Sequence, residues 1–146
     1  MHDRAVSLRP RDFLFETLPV PHHFSGLDTV IIRVRDISAA TAWYVQHLGA
    51  EAIYEDAEQR LAVIEIGGDD DGSGASTLTL WQLDDGVAWA PSNTYPILAT
   101  PDAKAAHAAL TAQGVEVGVL METPGVWFFR FADLDGNALE ACEVKA

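Results

Sequence analysis

Glu140 and Tyr95 are two side chains of this sequence that could move a proton. A carboxylate whose pKa is raised by burial can act as a general base, and a phenol can donate a proton or steady an oxyanion. Strand alternation gives both of them company. In the β-branched run 29–34, Val30, Ile32 and Val34 point one way and Thr29, Ile31 and Arg33 the other. In the run 77–83, Leu78 and Leu80 oppose Thr77, Thr79 and Trp81. The expected lining of one concave face is therefore Thr29, Ile31, Arg33, Thr79, Trp81, Tyr95, Ile97 and Glu140. Aromatic and aliphatic walls with a few hydroxyl and charged groups are what small-molecule sites show. Core filling by Trp81 and Tyr95 and mutual neutralisation of Arg33 with Glu140 are the competing readings. Parity in the neighbouring strand leaves Trp127, Phe129 and Arg130 each open as a further wall.

Other groups offer less. His22 and His23 precede the first strand in a proline-marked loop, with Glu140 as their one available partner for a metal. His47 and His107 fall in helices, away from the concave face. Asp69, Asp70 and Asp71 sit in an acidic, glycine-rich loop (67–75) without the closing glutamate or flanking helices of a helix–loop–helix calcium site. Cys142, the sole cysteine, excludes an intrachain disulfide and reads as a small apolar residue of the last strand.

The elements that must carry these residues occur twice. A strand at 29–34, Asp36, a helix ending at Gly49 and further strands are followed by a strand at 95–99, Asp102, a helix ending at Gly114 and further strands. Asp36 or Ser38, and then Asp102, can cap the helices by accepting a backbone N–H, and the glycines supply left-handed stops. Ile37, Ala40, Trp43, Tyr44 and Leu48 follow helical spacing. Strands are expected at 52–54, 61–66, 77–83, 115–120, 126–131 and 138–144, with a tight turn at Asp135, Gly136 and Asn137. Neither half could bury its apolar face alone. Residues 1–23 read as an extension in which Pro10, Pro19 and Pro21 oppose a long helix, and Phe13, Leu14 and Phe15 could pack on the domain or a partner. Residues 24–146 read as one domain, with repeats at about 27–83 and 94–144.

Composition narrows the classes. Nine basic against 22 acidic residues give a net charge of −13, which opposes binding to a nucleic-acid backbone. It would attract a cationic guest. There is no long apolar run for a membrane span or signal peptide, and one cysteine fits a reducing compartment, so a cytoplasmic protein is expected.

The stretch 28–36, Trp43 and Tyr44 ahead of Leu48 and Gly49, and above all Asp133, Asp135, Gly136, Asn137, Leu139 and Glu140 resemble the vicinal oxygen chelate superfamily of glyoxalases, bleomycin-resistance proteins and extradiol dioxygenases. The resemblance implies an α+β fold of two tandem βαβββ modules forming an open, barrel-like mixed sheet around a concave cavity, in a homodimer. It places the family's metal-ligand positions at Thr29, Thr79, Tyr95 and Glu140. Only Glu140 matches, and two threonines with a phenol are poor donors for a transition metal. The expectation is thus a metal-free small-molecule binding or resistance protein for a cationic drug, with no cofactor. The alternative kept open is a glyoxalase-like lyase or isomerase using Glu140 and Tyr95, with or without a divalent metal. Whether the chain is an enzyme is left undecided by the sequence.

Overall fold

Apolar residues at every second position make the strands, and the computed structural model, which describes residues 21–146, pairs them into two separate four-stranded sheets. The expected packing of Phe13, Leu14 and Phe15 lies outside the described residues. In chain order the elements are β1 (Val30–Val34), α1 (Ile37–Leu48), β2 (Glu51–Asp56), β3 (Leu61–Ile66), β4 (Ser76–Gln82), β5 (Ile97–Ala99), α2 (Ala103–Ala112), β6 (Met121–Glu122), β7 (Val126–Ala132) and β8 (Ala138–Val144). The first sheet has the order β1-β4-β3-β2 and the second β5-β8-β7-β6. β1 runs parallel to β4 and β5 parallel to β8, while all other pairs are antiparallel. A parallel pair needs a crossover, which α1 and α2 supply within each repeat. The fold is α+β, and the sheets are open and curled rather than closed into a barrel.

Both helices begin at an aspartate. Asp36 accepts from the Ala39 N–H and Asp102 from the Ala105 N–H, each at 2.9 Å. Ser38 is not the cap. At the end of α1, Gly49 takes φ 67°, a left-handed conformation that other residues adopt at a cost. The buried faces of both sheets meet the helices in one core, with Val34, Tyr44, Ile64, Leu80, Phe129 and Leu139 fully buried.

Side chains join the halves. The Tyr44 hydroxyl donates to Asp133 Oδ2 at 2.7 Å, and the phenol is wholly buried. Arg35 donates its main-chain N–H to Asp135 Oδ1 at 3.0 Å and its guanidinium to the same oxygen and to the Asp135 carbonyl. Asn137 Nδ2 reaches the Arg33 carbonyl at 3.0 Å. The turn holds itself in shape through Asp133 Oδ1, which accepts from the main-chain N–H groups of Asp135 and Asn137. Gly136 takes φ 94°, a left-handed conformation that other residues adopt at a cost, while a Cβ there would meet the Trp89 ring only at an ordinary contact distance of 3.6 Å.

Three strand expectations change. The run expected at 115–120 makes only an isolated bridge, Val117 to Phe131, and regular pairing begins at β6. At Gly118 the carbonyl accepts from the His107 ring at 2.9 Å rather than from a neighbouring strand, while the N–H donates to the Arg130 carbonyl. The strand expected at 95–99 shortens to β5 because Pro96 has no N–H for the ladder. The strand expected at 52–54 lengthens into β2, with a register shift between Ala52 and Tyr54.

Candidate functional site

Residues directly opposite one another in a ladder share a face, so the register sorts the expected lining. In the first sheet Ile31 faces Thr79 and Arg33 faces Trp81. In the second, Ile97 and Arg130 both flank Glu140. The repeat makes Ile31 and Ile97 equivalent, and likewise Thr79 and Glu140. Phe129 pairs instead with Ala141 on the helix side, where it is fully buried and meets the His107 ring edge-on at 4.9 Å. Trp127 also faces α2, with the Lys104 ammonium 4.4 Å from its ring centre. Of the three residues whose parity was open, only Arg130 shares the face of Glu140. Its i+2 spacing from Phe128 places that residue on the same face, a wall the sequence reading missed because alternation along 126–132 does not say which parity faces the cavity.

Two polar clusters result. In the first sheet the Thr29 and Thr79 hydroxyls lie 3.0 Å apart in a mutual hydrogen bond, and Thr79 is buried. Arg33 lies with its guanidinium 5.4 Å from the Trp81 ring centre and donates to the carbonyls of Trp81 and Gln82. The Trp81 indole N–H donates to the Gln59 carbonyl at 3.1 Å. In the second sheet the Arg130 guanidinium donates to the Tyr95 hydroxyl, stands 4.4 Å from that ring's centre, and lies 3.7 Å from Glu140 Oε1. Glu140 is buried while Arg130 is largely exposed. Arg33 and Glu140 therefore do not neutralise one another; each has a partner within its own sheet. Among the described residues no strand of one sheet pairs with a strand of the other.

The donor set does not suit a transition metal. Two neutral hydroxyls spend themselves on each other, and the phenol and carboxylate share a guanidinium whose charge would repel a dication. Among the described residues no three His, Cys, Asp or Glu side chains are grouped so as to hold a metal ion. His47 and Gln113 are bonded at 2.6 Å and His107 bonds the Gly118 carbonyl, both away from the clusters. In the acidic loop, Asp69 and Asp71 accept from Ser73.

An open groove of about 420 Å³ lies elsewhere, between Trp43 of α1, residues 114–116 beyond α2 and the turn at 132–136. None of the expected lining residues borders it.

No curated protein matches the chain in sequence. Among solved structures, an integron cassette protein from the mobile metagenome of the Halifax Harbour sewage outfall superposes with a TM-score of 0.68 at 22% identity, over 83% of this chain and 100% of that one. A protein of Bacillus anthracis assigned to the glyoxalase family gives 0.71 at 20% identity, over 86% and 100%. The fosfomycin resistance protein FosX of Listeria monocytogenes gives 0.66 at 18%, over 84% and 95%, and FosX has also been solved with Mn(II) and sulfate. Likeness at these identities establishes the fold. The sequence profile of the Glyoxalase/Bleomycin resistance protein/Dioxygenase superfamily matches residues 26–141, which is most of the chain, and with the two curled sheets it shows that the chain belongs to that superfamily.

Proposed function

We propose that the chain is a small-molecule binding protein of this superfamily that holds its ligand without a divalent metal, on the faces carrying Thr29, Ile31, Arg33, Thr79, Trp81, Tyr95, Ile97 and Glu140. The observation that carries this reading is Arg130, whose guanidinium takes both Tyr95 and Glu140. It supplies the positive charge that a metal would otherwise bring to Glu140. It also changes the guest expected from net charge alone. Glu140 is already paired and buried, whereas the guanidinium groups of Arg33 and Arg130 stand on exposed residues. A ligand with an anionic group on an aromatic or aliphatic body suits these faces better than a cationic drug.

A homodimer in the cytoplasm completes the reading. β1 and β5 are edge strands, and each leaves an isoleucine half exposed: Ile31 at 51% and Ile97 at 56%. Apolar edges of this kind are normally covered. No helix among the described residues is long and apolar enough to cross a membrane.

A second reading, a lyase or isomerase, draws on the same cluster. Arg130 donates to the Tyr95 oxygen, which leaves the phenol its own O–H as a proton source, and the same guanidinium meets Glu140, which would serve as the base.

Titration with anilinonaphthalenesulfonate, an anionic aromatic probe, tests the binding reading. Saturable fluorescence enhancement that weakens in Arg130→Gln and Arg33→Gln is expected. Equal enhancement in both variants, or preference for a cationic aromatic dye, would overturn it.

A further inference from the structure

Glu140 has a charge partner but no hydrogen bond. The residue is buried, at 9% exposure, and its ion-pair partner, Arg130 Nε, stops 3.7 Å from Oε1, beyond hydrogen-bonding distance. The guanidinium is held there by the Tyr95 hydroxyl, to which Nη2 donates. Neither Glu140 oxygen is sealed from solvent, and nothing among the described residues donates to the carboxylate. Buried carboxylates almost always accept hydrogen bonds, so this one has room for a donor from outside. Arg130 is 60% exposed at its side chain, and its Nη1 makes no hydrogen bond among the described residues.

The ladder sets an apolar strip beside this pair. Two residues along from Glu140 and Arg130, on the same face, Cys142 stands opposite Phe128, and Phe128 in turn stands opposite Met121. Side chains so spaced lie about 7 Å apart along a strand. The face therefore carries two opposite charges side by side, with an apolar row next to them. A guest with an anionic group alone would satisfy Arg130 but set its charge against Glu140. A guest with a cationic group alone would meet the same difficulty at Arg130.

We propose that this part of the second sheet takes a free α-amino acid as its zwitterion. The ammonium donates to Glu140, the carboxylate accepts from Arg130, and the amino acid's apolar side chain lies along Phe128 and Met121. The inference rests on the metal-free binding reading above and deepens it by naming the class of guest. Two opposite charges carried on one carbon match two opposite charges 3.7 Å apart. Both contacts are then charge-assisted hydrogen bonds, and the net charge of the site is unchanged. An aromatic or long aliphatic amino acid is preferred, because the apolar row begins about 7 Å from the charged one.

Calorimetric titration of the full chain at neutral pH with L-phenylalanine, with hydrocinnamate, which lacks the ammonium, and with phenethylammonium, which lacks the carboxylate, tests this. Phenylalanine is expected to bind saturably and at least about tenfold more tightly than either. The wild-type comparison needs no substitution, so a variant that folds poorly does not decide it. Glu140→Gln is expected to cut the preference for phenylalanine over hydrocinnamate at least about fivefold, with hydrocinnamate itself bound no more weakly. Arg130→Gln is expected to weaken both acids. Hydrocinnamate binding that depends on Arg130, with phenylalanine no tighter, would overturn the inference and leave the binding reading intact. Phenethylammonium bound as tightly as phenylalanine, or a preference that survives Glu140→Gln, would also overturn it. So would the absence of saturable heat from either acid, in which case the response to anilinonaphthalenesulfonate separately decides the reading beneath it.

Discussion

Tyr44 and Asp133 lie 89 residues apart in sequence and meet through a 2.7 Å hydrogen bond that pins the first helix to the last turn. The phenol is fully buried and the carboxylate nearly so. Removing the hydroxyl leaves Asp133 Oδ2 with Asn137 Nδ2 alone. Tyr44→Phe is therefore expected to cost about 1–3 kcal/mol, read as a lower midpoint in urea unfolding with little change in slope. An unchanged midpoint would mean that the bond adds nothing to the join.

The same pair sets a pH dependence. Burial, and then the Asp133 and Asp135 carboxylates, push the Tyr44 phenol far above its ordinary value. The folded state thus keeps a proton that the unfolded chain releases near the ordinary tyrosine pKa of about 10. The stabilisation is whole below that value and is lost as pH rises beyond it toward the folded-state pKa. Wild type should unfold progressively more easily above about pH 10, and Tyr44→Phe should show a flatter alkaline limb. Parallel limbs would contradict the assignment.

Gly49 ends α1 at φ 67°. A Cβ there would meet no atom within 4 Å, so the cost of Gly49→Ala is conformational rather than steric. A loss of about 1 kcal/mol is expected in chemical denaturation.

Arg130 should matter more for binding than for folding. Its side chain is 60% exposed, yet it touches Tyr95 and Glu140 together. Arg130→Gln should weaken an anionic aromatic ligand by about tenfold or more while shifting thermal unfolding little. A large stability loss with unchanged affinity would reassign it to the fold.

Much of this architecture is legible in the chain. The two aspartate caps, the left-handed Gly49 and the alternation of 29–34 and 77–83 are local, and local chemistry settles them. What depends on non-local pairing is not. Nothing in residues 126–132 alone says which parity meets α2, so Trp127 and Arg130 are separable only once Arg130 is seen opposite Glu140. The partners of Arg33 and Glu140 are hidden for the same reason: each is chosen by strand neighbours far away in sequence. Asp135 reads as a turn residue, which it is, but its burial beside Trp43 and its unmatched oxygen come from the way the halves dock.

The central claim is that Arg130, and no divalent ion, attends Glu140. The most direct measurement is elemental analysis of freshly purified protein together with calorimetric titration by Mn(II) and Zn(II). Substoichiometric metal and no saturable binding attributable to Glu140 are predicted. One tightly held ion per chain, lost in Glu140→Gln, would contradict the account.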